Sequence, residues 1–333
     1  MQSFISLLLT PLFCCLPSSW LRSKLSAWIS TENYTFTPTF SGRTALYLVA
    51  QKITKDRTES TALVPDYICN VVHLALEKAG CAVEAYPTDP SGQPDTEAIE
   101  QILSRGHITL LLGCPLWGSD GLIDWAAKPG TTELLKKTGT FLVIDLCQAI
   151  GLRSKLPSLH TVVTAAIISF NNKCTPGMMG GGILFRKEDS LEIPPAPRLK
   201  LRERWKLMLR PIWPLIQRVK RRGTWDQSPA IFDYSWCKDF PYDFRFLSMT
   251  KQQLAYLCAI RLFERKIVKK RHAFLKKNEE LFVQARYLSF ASHALLRPGL
   301  KPSGPHKMPY AKPDNAKVSD RPTDRYLPTG GWY

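Results

Sequence analysis

The chain has 333 residues, of which 44% are hydrophobic, and a formal net charge of +17. This length and composition allow a large buried core, which excludes a disordered protein, and the charge favours nucleic acid, acidic lipid or phosphorylated small molecules as partners. The nine cysteines include no C-x-x-C pair, so we expect neither a disulfide framework nor a zinc site, and a reducing cytosol is the simplest compartment.

The first segment, residues 1–37, is apolar to amphipathic. Its apolar run from Phe4 to Leu16 is too short to cross a bilayer. Arg22 and Lys24 follow this run, whereas the charges of a signal peptide precede it. Two interpretations remain open: a helix packed on the core or on a partner subunit, or a segment at a membrane surface through residues 1–24.

Residues 38–190 predict a large α/β domain. Helical patterns alternate with the short apolar stretches TALVP, AVEAYP, ITLLLGC and TFLVIDL. This alternation indicates a mainly parallel sheet with helices on both faces, in which ligands bind at the carboxyl ends of the strands. No G-x-G-x-x-G follows a strand and no G-x-x-x-x-G-K-[ST] is present, which argues against a dinucleotide fold and a nucleoside triphosphatase.

Two short stretches fall where such a sheet builds its site. SGRTAL, residues 41–46, runs from a polar loop into a helix start, whose free N–H groups and dipole suit a phosphate. In FLVIDLCQAIG, residues 141–151, Asp145 ends an apolar strand and Gln148 follows three residues later. A buried carboxylate needs a cationic partner, which leaves a protonated ring nitrogen, an arginine or a helix cap as alternatives.

A third stretch, residues 168–185, reads ISFNNKCTPGMMGGGILF. Lys173 follows an apolar strand that ends near Ser169. A lysine amine made reactive by its surroundings forms a Schiff base with an aldehyde, although most lysines simply lie on the surface. Glycines would let the backbone pass close to a ligand here; they are Gly177, Gly180, Gly181 and Gly182.

Taken in order, SGRTAL, LVPDYICNVV, VIDLCQAIG, SFNNK and GGGILF resemble the DegT/DnrJ/StrS sugar aminotransferases. This family uses pyridoxal 5'-phosphate (PLP) on the aspartate aminotransferase type of fold. The resemblance continues at YDFRFLSMTKQQLAYLCAIRLFERKIVKKRHAFLKKNEEL and covers roughly residues 38–285. It implies the PLP-dependent transferase fold type I, with a mainly parallel, seven-stranded type of sheet and helices on both faces.

The resemblance also implies roles for individual residues. Lys173 would hold the cofactor as a Schiff base, Asp145 would pair with the pyridine nitrogen, and Gln148 would bond the phenolic oxygen. It further implies that the phosphate is held by Thr44, Ala45 and Ser169. The ring would stack on a residue of PDYIC, and Tyr67 and Cys69 remain alternatives for that position.

These roles imply an aminotransferase that moves an amino group from an amino acid, with glutamate as the usual donor, to a keto-sugar linked to a nucleotide or a lipid. The product would serve glycan or polysaccharide biosynthesis, and the enzyme would be a homodimer because such sites are built across subunits. Related sugar dehydratases replace the lysine with histidine, so Lys173 argues against that chemistry. A catalytically impaired PLP-binding protein with a membrane or regulatory role is the alternative, favoured by Asp243 where the family often has asparagine.

The C-terminal half departs from the family. Residues 191–230 form a basic aromatic insertion, in which the block 197–225 carries ten Lys or Arg against one acid. Such a block suits an anionic membrane surface, although a solvated basic face remains an alternative and no motif supports nucleic acid. We therefore expect a cytoplasmic protein, with peripheral binding at an inner membrane as the more specific hypothesis.

Two segments complete the predicted organisation. Residues 231–290 form a helical region leading to a small domain. Residues 291–333 form a proline-rich tail or a truncated C-terminal lobe, since they show no sustained period. The C-terminal small subdomain is thus predicted to be reduced or missing.

Overall fold

The computed structural model describes residues 2–66, 68–89, 93–115, 121–147, 149–170, 180–189, 192–194, 199–209, 244, 246–262 and 310–311. Within them, seven strands form one sheet: β1 (Tyr34–Thr39), β2 (Thr61–Pro65), β4 (Ala82–Tyr86), β5 (Leu110–Gly113), β6 (Phe141–Asp145), β7 (Val163–Ser169) and β8 (Gly181–Arg186). A two-residue strand β3 (Ile68–Cys69) pairs with β9 (Tyr310–Ala311).

The sheet has the order β1-β8-β7-β6-β5-β2-β4. Strand β8 runs antiparallel to both of its neighbours, and the other six strands are mutually parallel. Strands β5, β6 and β7 are apolar on both faces, as expected of parallel strands that are covered on both sides. The prediction of a mainly parallel seven-stranded sheet is therefore confirmed.

Nine helices are described: α1 (Gln2–Cys14), α2 (Ser18–Ile29), α3 (Gly42–Thr54), α4 (Asn70–Lys78), α5 (Thr96–Leu103), α6 (Gly121–Ala126), α7 (Pro129–Thr138), α8 (Leu201–Leu209) and α9 (Lys251–Arg261), together with a 3-10 helix (Ile150–Leu159). Helices α3 and α4 cover one face of the sheet, and α2, α5, α6, α7, α9 and the 3-10 helix cover the other. Helices on both faces are thus confirmed, and two apolar layers enclose the sheet.

Helix α2 belongs to the core. Leu21, Leu25 and Ile29 recur every four residues and are completely buried. Full burial of one such side chain contributes about 1.5–3 kcal/mol. Of the two interpretations of the N-terminal segment, packing on the core is confirmed for α2, and α1 packs on α9 beside it.

Strand β1 is an element that the sequence pattern did not reveal. Its residues YTFTPT contain a proline, which argues against a central strand. Pro38 is tolerated because β1 is an edge strand, paired only with β8. Tyr34 and Phe36 point into the core, and the Tyr34 hydroxyl donates to the carbonyl of Val163 at 2.8 Å.

The predicted boundaries at residues 37, 190, 230 and 290 stay predictions. Strand β1 begins at Tyr34, inside the predicted N-terminal segment. Helix α9, from the predicted helical region 231–290, packs in the same apolar layer as α2. The predicted tail or lobe at 291–333 lies outside the described residues except for β9.

Candidate cofactor site

The start of α3 lies at the carboxyl ends of the strands and is held by a serine cap. Ser41 precedes the helix with an extended backbone, and its Oγ accepts the N–H of Thr44 at 3.1 Å. Serine is favoured at this position because its side chain satisfies an N–H group that has no partner within the helix. The cap predicted from the sequence is confirmed.

Thr44 and Ala45 are both buried at this helix start. Their N–H groups are already engaged, that of Thr44 by the Ser41 Oγ and that of Ala45 by the Ser41 carbonyl at 3.0 Å. The N–H groups of Gly42 and Arg43 are the ones left without an acceptor inside the helix. The sequence predicts a phosphate at this helix start, and the position of the cap identifies these two N–H groups as the first-turn donors that would serve it.

Asp145 stands at the end of β6, half-buried. Its Oδ1 accepts the N–H of Cys147 at 2.8 Å. Within the described part of the chain, no lysine or arginine forms an ion pair with this carboxylate. The arginine alternative therefore finds no support among the described residues, the bond from the Cys147 N–H agrees with a capping role, and the protonated ring nitrogen stays a prediction.

Ser169, at the end of β7, touches the start of α3. A Cβ added at Gly42 would lie only 2.8 Å from the Cβ of Ser169 and 3.0 Å from the Sγ of Cys147. On the other side, a Cβ at Gly181 would lie 2.3 Å from the nitrogen of Gly42. Two glycines thus allow the helix start to rest directly on the ends of β6, β7 and β8.

Gly181 and Gly182 are required for close packing within the fold. A Cβ at Gly182 would fall 2.1 Å from the Phe36 ring, and the space beside Gly181 is filled by Ser41 and Gly42. These two glycines admit neighbouring parts of the chain, because β8 is pressed between β1 and the α3 start. The expectation that they approach a ligand is not met at these positions, and Gly177 lies outside the described residues.

The structure brings Thr44, Ala45, Asp145 and Ser169 to one edge of the sheet. The other predicted site residues, Tyr67, Gln148 and Lys173, lie outside the described residues, as does Asp243. The backbone of Cys69 lies in β3. In the described ranges, no three His, Cys, Asp or Glu side chains are grouped so that they could hold a metal ion.

No protein-family model matches the sequence, and no curated protein matches it. Among solved structures, the apo form of Spr1654 from Streptococcus pneumoniae, described as a sugar aminotransferase, is 14% identical with a TM-score of 0.50, over 79% of this chain and 63% of that one. The PLP form of Spr1654 is 12% identical with a TM-score of 0.50, over 80% and 64%. A DegT DnrJ EryC1 StrS aminotransferase from Brucella abortus is 14% identical with a TM-score of 0.48, over 80% and 63%.

The chain has the fold type I architecture. Its sheet, with one antiparallel strand among six parallel ones, and the likeness to Spr1654 agree on this point. The chain spans less than two thirds of the length of these structures. None of the described helices combines the length and the apolar character needed to cross a bilayer.

Proposed function

We propose that the protein is a PLP-dependent aminotransferase. The observation that carries the proposal is the strand-end arrangement: the N-terminus of α3 rests on Ser169 at the end of β7, and the Asp145 carboxylate at the end of the neighbouring strand β6 forms no ion pair among the described residues. A ligand with a phosphate at one end and a protonated ring nitrogen at the other would place the phosphate at the α3 start and the cation beside Asp145. The fold type I architecture supports this assignment.

The residues present fit PLP, which, when bound, withdraws electrons from the carbon that carries the amine. Asp145 would keep the ring nitrogen protonated through its carboxylate charge. The N–H groups at the α3 start and the Ser169 hydroxyl would hold the phosphate, with Thr44 and Ala45 shaping that helix turn. Gln148 would bond the phenolic oxygen, and Tyr67 or Cys69 would stack on the ring.

Lys173 would have two functions in this reaction. Its Nζ would hold the cofactor covalently, and once released by the amino donor it would accept a proton from the donor's α-carbon and return it to the carbon that derives from the cofactor's aldehyde. Lys173 follows Ser169 by four residues along the chain, one fewer than is commonest in the family that the sequence resembles, and it comes after the end of β7.

The substrates follow from the family resemblance. We propose glutamate as the donor and a keto-sugar linked to a nucleotide or a lipid as the acceptor, in glycan or polysaccharide biosynthesis. The +17 charge supports an acceptor that carries phosphate groups. Sugar specificity and the carbon that is aminated are questions for a substrate panel.

The test is turnover of glutamate with a panel of nucleotide-linked keto-sugars, followed by detection of the amino-sugar. Lys173→Ala should abolish turnover, and Lys136→Ala, which changes an exposed lysine on α7, is the matched control and should retain it. PLP binding without turnover of any acceptor would favour the catalytically impaired alternative.

We also propose a homodimer, because the resemblance implies a site completed by the partner subunit. Light scattering of the purified protein should give about twice the chain mass of 37.7 kDa. A monomer at concentrations that support turnover would contradict the dimer while leaving the aminotransferase assignment intact.

Finally, we propose peripheral binding to an anionic membrane surface. Leu8 and Leu12 lie one turn apart on α1 with relative exposures of 61% and 66%, and Trp20 is exposed at the start of α2. The ammonium of Lys24 lies 5.5 Å from the centroid of the Trp20 ring. The first acidic residue of the chain is Glu32. The charged side chains near Leu8, Leu12 and Trp20 in the sequence are therefore all positive, which suits anionic headgroups.

The described part of the basic block adds a second such surface. On α8, Leu201 and Trp205 are exposed one turn apart, with Arg202 and Arg204 between them also exposed. Tryptophan and arginine side by side on an exposed helix are typical of a segment that lies in a headgroup layer.

Flotation with vesicles tests this proposal. The protein should float with phosphatidylglycerol vesicles and not with pure phosphatidylcholine. The double variant Leu8→Ser/Leu12→Ser should weaken partitioning at least about tenfold, since each leucine contributes about 1.5–3 kcal/mol when buried. Ala27→Ser, an exposed change on α2, is the control. Protein that stays in the soluble fraction with anionic vesicles would remove the proposal.

A further inference from the structure

The two ends of the candidate site meet at one residue, Cys147. Its main-chain N–H holds the Asp145 carboxylate at 2.8 Å, and its Sγ lies against Gly42 at the start of α3. The carboxylate and the helix start are far apart in sequence, yet both are joined to a single position that follows β6 by two residues.

Two side chains, those of Cys147 and Ser169, leave no room for a side chain at Gly42. A Cβ there would lie 3.0 Å from the Cys147 Sγ and 2.8 Å from the Ser169 Cβ, both closer than ordinary van der Waals contact. The backbone at Ser41 and Gly42 is meanwhile pressed on Gly181 of β8. Because protein interiors are close-packed, a side chain added at Gly42 would push the helix start away from the strand ends unless Cys147 or Ser169 moved.

We propose that the contact of Cys147 and Ser169 with Gly42 sets the distance between the N–H groups of the α3 start and the Asp145 carboxylate. Gly42 and Cys147 are then positioning residues, which act through the helix start and through Asp145. This inference rests on the proposed function. A ligand that binds the α3 start through its phosphate and Asp145 through its protonated ring nitrogen must fit the distance between these two groups.

The inference predicts an effect on the phosphate end alone. If the helix start shifts while Asp145 keeps its bond to the Cys147 N–H, binding of a phosphate weakens and recognition of the ring does not. Comparing PLP with pyridoxal, which lacks the phosphate, isolates this effect. A merely structural role would lower the affinity for both ligands in parallel, together with the melting temperature.

The experiment measures dissociation constants for PLP and pyridoxal by absorption titration of the full chain. Gly42→Ala should weaken PLP binding by about tenfold or more, the equivalent of about 1.4 kcal/mol, and pyridoxal binding by less than about threefold. Cys147→Ala removes the thiol without adding bulk, so it covers the case in which Gly42→Ala fails to fold. It should lower the preference for PLP in the same direction.

Two matched controls define the background. Gly130→Ala changes a glycine in the first turn of α7 that has nothing within 4 Å of the added Cβ. Cys81→Ala removes another buried thiol, between α4 and β4. Both should keep the preference for PLP over pyridoxal of the unchanged protein.

The outcomes separate the two claims. A preference for PLP that is unchanged in both Gly42→Ala and Cys147→Ala overturns the positioning inference alone. An unchanged protein that binds neither ligand overturns the proposed function, and the inference with it. A reduced preference in both variants, with unchanged controls, supports the inference.

Discussion

Asp145 is the residue on which the proposed chemistry depends most directly after Lys173. Its carboxylate accepts one main-chain N–H and meets no cation in the described part of the chain. An asparagine oxygen can accept the same N–H, so the Asp145→Asn variant should fold normally while losing the negative charge that a protonated ring nitrogen requires.

We expect Asp145→Asn to lower kcat by about 10²-fold to 10³-fold, the range found when one preorganised electrostatic contact is removed from an active site. Steady-state kinetics with glutamate measure the loss. Asp124→Asn, on the exposed side of α6, is the control and should keep wild-type kcat. Equal kcat in wild type and Asp145→Asn would show that this carboxylate does not serve the cofactor ring.

His73 on α4 is buried, and its Nε2 has no hydrogen-bond partner within the described structure. Burial lowers the pKa of His73 below its ordinary value of 6.5, and Glu77 opposes this shift more weakly. A histidine with a lowered pKa is protonated more readily in the unfolded chain. The free energy of unfolding should therefore fall as the pH drops below 6.5.

Replacing the ring by an apolar side chain tests this effect. His73→Leu should reduce the loss of stability between pH 7 and pH 5, by at most about 1.4 kcal/mol per pH unit for one proton. Urea unfolding at several pH values measures it. Parallel curves for His73→Leu and wild type would contradict the assignment.

The sequence predicts the ends of strands and helices correctly where a strong local pattern of apolar and polar residues marks them. Asp145 is predicted to end an apolar strand and Ser41 to cap a helix, and the structure shows both, whereas the role of Ser169 comes from the family resemblance and stays a prediction. The contact between Gly42 and Cys147 joins residues on different elements, and nothing local in the sequence marks it.

At the scale of elements, α1 and α2 differ in how they use their apolar residues. Leu25 of α2 is completely buried, whereas Leu12 of α1 is 66% exposed. A Leu→Ala change at a buried position removes transfer free energy and leaves a cavity, but at an exposed position it removes little that folding had buried.

We therefore expect Leu25→Ala to lower the free energy of unfolding by about 2–5 kcal/mol and Leu12→Ala to change it by less than about 0.5 kcal/mol. Chemical denaturation of both variants measures the difference. Similar losses in the two variants would mean that α1 is buried against something, for which the partner subunit is the first candidate.

Short and irregular elements were the ones that the sequence concealed. Strand β1 alternates aromatic residues with threonine, but it is only six residues long and contains a proline, which argues against a strand. Tyr34 and Phe36 enter the core beside β8, and the edge position of β1, which is a tertiary property, tolerates Pro38. The strands β5 to β8 can be predicted from their runs of apolar residues alone.

At the scale of the molecule, the sheet, its two apolar layers and the site at the carboxyl ends follow from the alternation of strands and helices. The antiparallel direction of β8 does not follow from composition, because an apolar strand reads alike in either direction. Fold type I is established by the topology and the likeness to Spr1654, and the reaction is proposed from the residues at the strand ends.

The most direct test of the central claim is the absorption spectrum of the purified protein with added PLP, followed by borohydride reduction and peptide mapping of the labelled residue. We predict a visible absorption band that reduction removes, and a pyridoxyl label on Lys173. The absence of a band, or a label on another lysine, would contradict the aminotransferase assignment while leaving the fold unaffected.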